Sequence, residues 1–141
     1  MEVDLLNLTE VYKKISDANI ELFSYDIPQI KAATIEINKK YGIFLNYNEI
    51  KDSDDEFLVL THEYGHCTSG TTHKITSKFE TIRRQEYRAD RKSIIDFLPI
   101  DKLKQAIQHG CQTKYEFATF LGVPEDFVIK AFKHYKAMNL I

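Results

Sequence analysis

The sequence predicts an α+β fold, and three observations carry that expectation. Ala33-Thr34-Ile35-Glu36-Ile37-Asn38 alternates apolar with polar or small residues, the period-two pattern of a half-buried strand. From Ser53 almost to the end the pattern is helical, interrupted only by Gly and Pro punctuation. Thr113 and Glu116 stand at capping-box spacing ahead of an apolar run. A short sheet beside four or more helices is an α+β arrangement.

Taken in order, residues 3–17 read as a helix with Leu6, Val11 and Ile15 among its apolar positions. Ile20-Glu21-Leu22-Phe23 reads as a short strand, and Pro28 ends that region. After the strand at 33–38, Lys39-Lys40-Tyr41-Gly42 punctuates and Ile43-Phe44-Leu45 continues as its partner. The expectation is a small three-stranded antiparallel sheet. Lys51-Asp52-Ser53-Asp54-Asp55-Glu56 reads as a solvated helix start, with acids at the positive end of the helix dipole. Helices are predicted over 53–67, over 79–97 (stopped by Pro99), over 101–108 (closed by Gly110), over 113–121 and over 124–137. Pro124 suits the first turn of the last of these. The 141 residues are one domain's length, so 1–141 is read as a single domain with a C-terminal helical hairpin at 112–141 packed on the rest.

Composition argues against several function classes. The formal net charge is −2, from 19 basic and 21 acidic residues, whereas a dedicated nucleic-acid binder carries a basic excess. Two cysteines, Cys67 and Cys111, are too few for a disulfide framework and read as free thiols in a reducing compartment. Met1–Lys14 is acidic where a secretion signal is basic, and no segment has the roughly 20 apolar residues that span a bilayer. A cytoplasmic protein is expected. Oligomeric state is not readable.

The chemistry is concentrated in Leu60-Thr61-His62-Glu63-Tyr64-Gly65-His66-Cys67. On a helix, residues four apart share a face, so His62 and His66 can aim at one point, as two ligands of a tetrahedral zinc ion do. Glu63 lies about 100° round the helix, off the ligand set but able to reach a water beside the ion. Gly65 costs roughly 1 kcal/mol of helix stability against alanine, which suggests that something packs closely there. A catalytic zinc takes three protein ligands, and the next helix offers Glu86 as the third. Asp90, one turn on, is placed to accept the spare N–H of a ligand histidine. Ala89 between them is small enough to let the helices approach. Glu80, Glu86, Asp90 and Asp96 share this segment with Arg83, Arg84, Arg88, Arg91 and Lys92, so much of it reads as an ordinary salt-bridge-laced face, to which Arg88 and Arg91 are assigned.

His62-Glu63-Tyr64-Gly65-His66, then Glu86-Tyr87-Arg88-Ala89-Asp90, then an apolar helix ending Phe97-Leu98-Pro99, resembles the ImmA/IrrE-type metallopeptidases of bacteria and their mobile elements. The similarity includes the preceding strand pair and the C-terminal helices. It implies a gluzincin-like helical core beside a small sheet, with Zn²⁺ held by His62, His66 and Glu86. It also implies Glu63 as catalytic glutamate, Asp90 as support for a histidine, and a helix-turn-helix repressor as protein substrate. Some relatives carry extra domains that this chain lacks.

Catalysis also needs a second donor to the oxyanion. His73 is the favoured candidate, with Tyr64 and Tyr87 as alternatives. An edge strand at 33–38 or 41–46 is expected to pair with extended substrate. His109 and His134 read as structural, and Cys67 as packed. Two rival readings remain beside the peptidase. One is a metal-binding regulator that binds a partner without cutting it; the other is a DNA-binding protein using the hairpin. Glu63 favours hydrolysis, because holding a metal does not require it. Leu121-Gly122-Val123-Pro124 has the look of a helix-turn-helix turn, with Lys130, Lys133 and Lys136 on the second helix. Glu125 and Asp126 occupy that helix's leading end, where base-reading residues sit, and argue against DNA contact.

Overall fold

The structure is a computed structural model and describes residues 7–70 and 79–141, with the side chains of Phe79 and Glu80 outside that description. The chain runs α1 (Leu8–Asp17), β1 (Glu21–Ser24), β2 (Ala32–Ile37), β3 (Lys40–Leu45), a 3₁₀ turn (Tyr47–Glu49), α2 (Ser53–Ser69), α3 (Phe79–Phe97), α4 (Ile100–Gln108), α5 (Lys114–Leu121) and α6 (Glu125–Ala137). This is the α+β class predicted, with six α-helices and one three-stranded sheet among the described residues.

The sheet departs from expectation. Its order is β1-β3-β2, with β2 antiparallel to β3 but β1 parallel to it, so it is mixed rather than antiparallel. The turn explains half of this. Asn38 and Lys39 both take positive φ (53° and 65°), the two-residue geometry that folds a strand back antiparallel on its predecessor. The reversal therefore falls at Asn38-Lys39, and Lys40–Gly42 belong to β3 rather than to the punctuation. The stretch between β1 and β2 explains the other half. The Tyr25 N–H donates to the Leu45 carbonyl (3.1 Å), the Asn46 N–H to the Lys31 carbonyl (2.8 Å) and the Asn46 amide to the Ile27 carbonyl (2.8 Å). These bonds leave a slot between β1 and β2 that β3 fills, running with β1 and against β2.

Helix ends follow their local chemistry. The Asp52 carboxylate caps α2 by accepting from the Asp55 N–H (2.8 Å), and Gly70 ends that helix in the left-handed conformation. The predicted capping box is present at α5. Thr113 accepts from the Glu116 N–H, and Glu116 accepts from the Thr113 N–H. Pro124 sits at the N-cap of α6, one position before its first turn.

One cluster of buried side chains runs from Val11 to Tyr135. α2 lies at its centre. Phe57 packs edge-on against Phe97 and Phe127, with ring centroids 6.3 and 5.2 Å away. Leu60 of α2, Ile94 of α3, Leu103 of α4, Val128 and Ala131 of α6, and Ile43 of β3 complete the same core. The Tyr135 hydroxyl donates to the Leu98 carbonyl (2.9 Å), fastening α6 across the end of α3. α6 of the C-terminal hairpin thus packs on the body. No helix among the described residues is long and apolar enough to cross a membrane.

Candidate metal centre

The site is made by the crossing of α2 and α3, and that crossing is close because of Gly65. A Cβ at Gly65 would fall on the Ala89 carbonyl, 2.7 Å from its carbon and 3.1 Å from the Ala89 Cα. Gly65 and Ala89 are both buried at this contact. Backbone thus meets backbone, and side chains one turn away on each helix reach one another across the gap.

His62 and His66 stand one turn apart, their rings 4.7 Å apart at 89°. Their Nε2 atoms approach to 3.2 Å. Glu86 closes the triangle: Oε1 lies 3.1 Å from His62 Nε2, and Oε2 lies 2.6 Å from His66 Nε2. One donor atom from each of the three residues lies within 4.8 Å of the other two, and this group can hold a metal ion.

The remaining nitrogen of His62 is also engaged. Nδ1 lies 3.0 Å from Asp90 Oδ1, and Lys130 of α6 donates from Nζ to the same oxygen at 3.2 Å. A proton on Nδ1 facing Asp90 leaves the Nε2 lone pair facing His66 and Glu86, the tautomer that a metal ligand needs. The pKa shifts follow from these contacts. The hydrogen bond to Asp90 raises His62 above 6.5, against the opposing effect of burial. Burial pushes Asp90 up, but the His62 bond and the Lys130 charge outweigh it and hold its carboxyl below 3.8.

Glu63 points elsewhere on α2. Its Oε1 accepts from the Thr34 hydroxyl of β2 at 2.5 Å, which ties the carboxylate to the strand instead of to the histidines. Glu63 and His62 share a small cleft of about 280 Å³, bounded by Ala32, Leu58 and Val59 and flanked by Lys31 and Lys130. Thr34 and Lys130 are the two members of this constellation that the sequence reading did not assign. Neither belongs to a motif; each arrives from a distant element.

The other expected residues are placed as follows. His73 lies outside the described residues. The Tyr64 hydroxyl is committed to Asp96 Oδ2 (2.6 Å), turned into the core, and so is not aimed at the cleft. The Tyr87 ring lies against His134, with centroids 4.8 Å apart. His109 packs on Phe120 (4.5 Å). Cys67 is buried, and burial pushes its thiol up to about 12. It is a neutral packed group beside the site. Of the two candidate strands for substrate pairing, β3 is flanked on both sides, so 41–46 has no edge to offer; β2, covering 33–38, is an edge.

The acids of α3 divide between two partners. Glu86 and Asp90 turn toward α2, and Asp96 pairs with Lys92 (3.0 Å) and Tyr64. The acids are drawn to the metal group and the core. Arg84, Arg88 and Arg91 make no ion pair among the described residues.

No family model matches the chain, and no curated protein or solved structure matches it.

Proposed function

We propose that the chain is a zinc-dependent endopeptidase of the ImmA/IrrE type with a gluzincin-like core, acting in the cytoplasm on a helix-turn-helix repressor. The observation that carries this reading is the separation of roles on α2. His62 and His66 face Glu86, while Glu63 faces the adjoining cleft and takes no part in the ligand triangle. A site that only stored a metal would not need a second carboxylate beside it that stays out of the ligand set.

The donor set fits zinc. Two ligand atoms at about 2.0–2.1 Å on a tetrahedral ion lie roughly 3.3 Å apart. The Nε2 pair at 3.2 Å and the His62–Glu86 pair at 3.1 Å are near that spacing, whereas Glu86 Oε2 lies 2.6 Å from His66 Nε2, a direct hydrogen-bond contact that an entering ion would open. Three protein donors among the described residues leave a fourth position for water, as a hydrolytic site requires. A bound zinc supplies Lewis acidity and brings the pKa of water toward neutrality.

The protein's own groups do the rest. Glu63 takes the proton from the attacking water and returns it to the leaving amine. The Thr34 hydroxyl holds Glu63 Oε1, so that Oε2 is the oxygen that works. Asp90 fixes the His62 ring and its tautomer, and Lys130 fixes Asp90. The outer edge of β2 offers main-chain groups to an extended substrate laid beside Glu63. Both cysteines are free, in keeping with a reducing compartment.

The test is incubation of the zinc-loaded protein with candidate repressors, those encoded nearby first. We expect loss of intact repressor with the native protein and none with Glu63→Gln, although that variant keeps zinc and fold. Cleavage by Glu63→Gln at the native rate would show that Glu63 is not the base.

A further inference from the structure

α3 carries a second feature that the peptidase reading does not use. A groove of about 720 Å³ runs along its outer face, lined by Arg83, Arg84, Arg88 and Arg91 together with Glu86 and Tyr87. Arg84, Arg88 and Arg91 follow one another at four- and three-residue spacing and so form one stripe. The chain as a whole is net negative at −2, so four guanidinium groups in one groove do not reflect composition. Like charges one turn apart disfavour the helix that carries them, a cost that an anionic occupant removes. Glu86 lies at once in this groove and in the ligand triangle. The groove and the Glu63 cleft therefore flank the metal group, one from the α3 side and one from the β2 side.

We infer that the arginine groove receives an acidic segment of the protein substrate, a run of Asp and Glu next to the bond that is cut. The inference rests on the peptidase reading for its substrate class. Guanidinium groups pair with carboxylates through two parallel hydrogen bonds, which gives register as well as attraction. A nucleic acid is the poorer match. Its continuous phosphate charge would meet Glu86 within the groove, and the leading end of α6 is itself acidic at Glu125 and Asp126.

The experiment is fluorescence anisotropy on the full-length zinc-loaded Glu63→Gln protein. The probes are a labelled Glu/Ala peptide, a Lys/Ala peptide of the same length, and an oligonucleotide of matched charge. We expect the Glu/Ala peptide to bind and the Lys/Ala peptide not to. In Arg84→Ser/Arg88→Ser/Arg91→Ser the acidic peptide should bind at least about tenfold more weakly, with a flatter salt dependence. The matching triple Lys variant, which keeps the charge, should retain most of the affinity and guards against a folding artefact. Equal binding of both peptides, or unchanged affinity in the serine variant, would overturn the inference. So would tighter binding of the oligonucleotide, lost in the same variant. The two readings fail separately. A zinc-bearing enzyme that cuts peptides regardless of acidic residues ends this inference alone. A protein that holds no zinc yet binds the acidic peptide through its arginines ends the peptidase reading and leaves the groove a site for acidic peptide without that substrate class.

Discussion

Asp90 is where three elements meet: α3 carries it, His62 of α2 bonds to it and Lys130 of α6 holds it. It touches no part of the ligand triangle directly except through His62 Nδ1, and it is itself held by Lys130. Replacing it with Asn keeps the size but gives up the charge that fixes the His62 tautomer. We expect Asp90→Asn to weaken zinc binding by roughly 10- to 100-fold, measured by competition with a chelating dye. Lys130→Met should weaken it less, because Asp90 keeps its bond to His62. Glu63→Gln should leave zinc affinity near native and lower the cleavage rate by about 10²-fold or more. His62, Glu63, His66, Glu86 and Asp90 could all be picked from the sequence, since four-residue spacing on a helix dictates a shared face. Thr34 and Lys130 could not. They lie 29 and 40 residues from the carboxylates they touch, and only the tertiary fold brings them in.

The crossing of α2 and α3 depends on a residue with no side chain. Gly65→Ala should gain about 1 kcal/mol in helix propensity. The added methyl, however, meets the backbone of Ala89, which cannot rotate away. Overpacking of this kind typically costs about 1–3 kcal/mol and more where backbone must move, so the clash wins. We expect a net loss of at least about 2 kcal/mol by urea denaturation, together with weaker zinc binding as α3 is pushed off. A gain in stability would mean that the helices are further apart than described. Helix positions were largely readable, because caps and breakers such as Asp52, Thr113 and Gly122 act locally. The direction of β1 was not. Alternation along a strand reports which face is buried and is silent on which neighbour it pairs with or in which sense, and that depends on bonds from Tyr25 and Asn46.

Across the whole molecule, proton binding at the site and folding are linked, and the sign of the link changes with metal. In the metal-free protein the folded state raises His62 above 6.5, so its contribution is complete below 6.5 and fades as pH climbs through the raised value. It lowers Asp90 below 3.8, so that contribution is complete above 3.8 and fades as pH falls through the lowered value. The pair therefore supports the fold best between pH 3.8 and 6.5. The Tm gap between native protein and Asp90→Asn, both metal-free, should be widest there and narrow on either side. Zinc requires an unprotonated His62 Nε2, so the rise in Tm on adding zinc should grow as pH passes upward through the His62 value. A zinc-induced rise that is the same at pH 5 and pH 8 would contradict this linkage. The most direct test of the metal site itself is the zinc content of the purified chain by mass spectrometry of the metal, alongside His62→Ala, His66→Ala and Glu86→Ala. One zinc per native chain, lost from each variant while circular dichroism stays native, is the expected result. Zinc retained in full when Glu86 is replaced, or none bound by the native chain under zinc-replete conditions, would contradict the account.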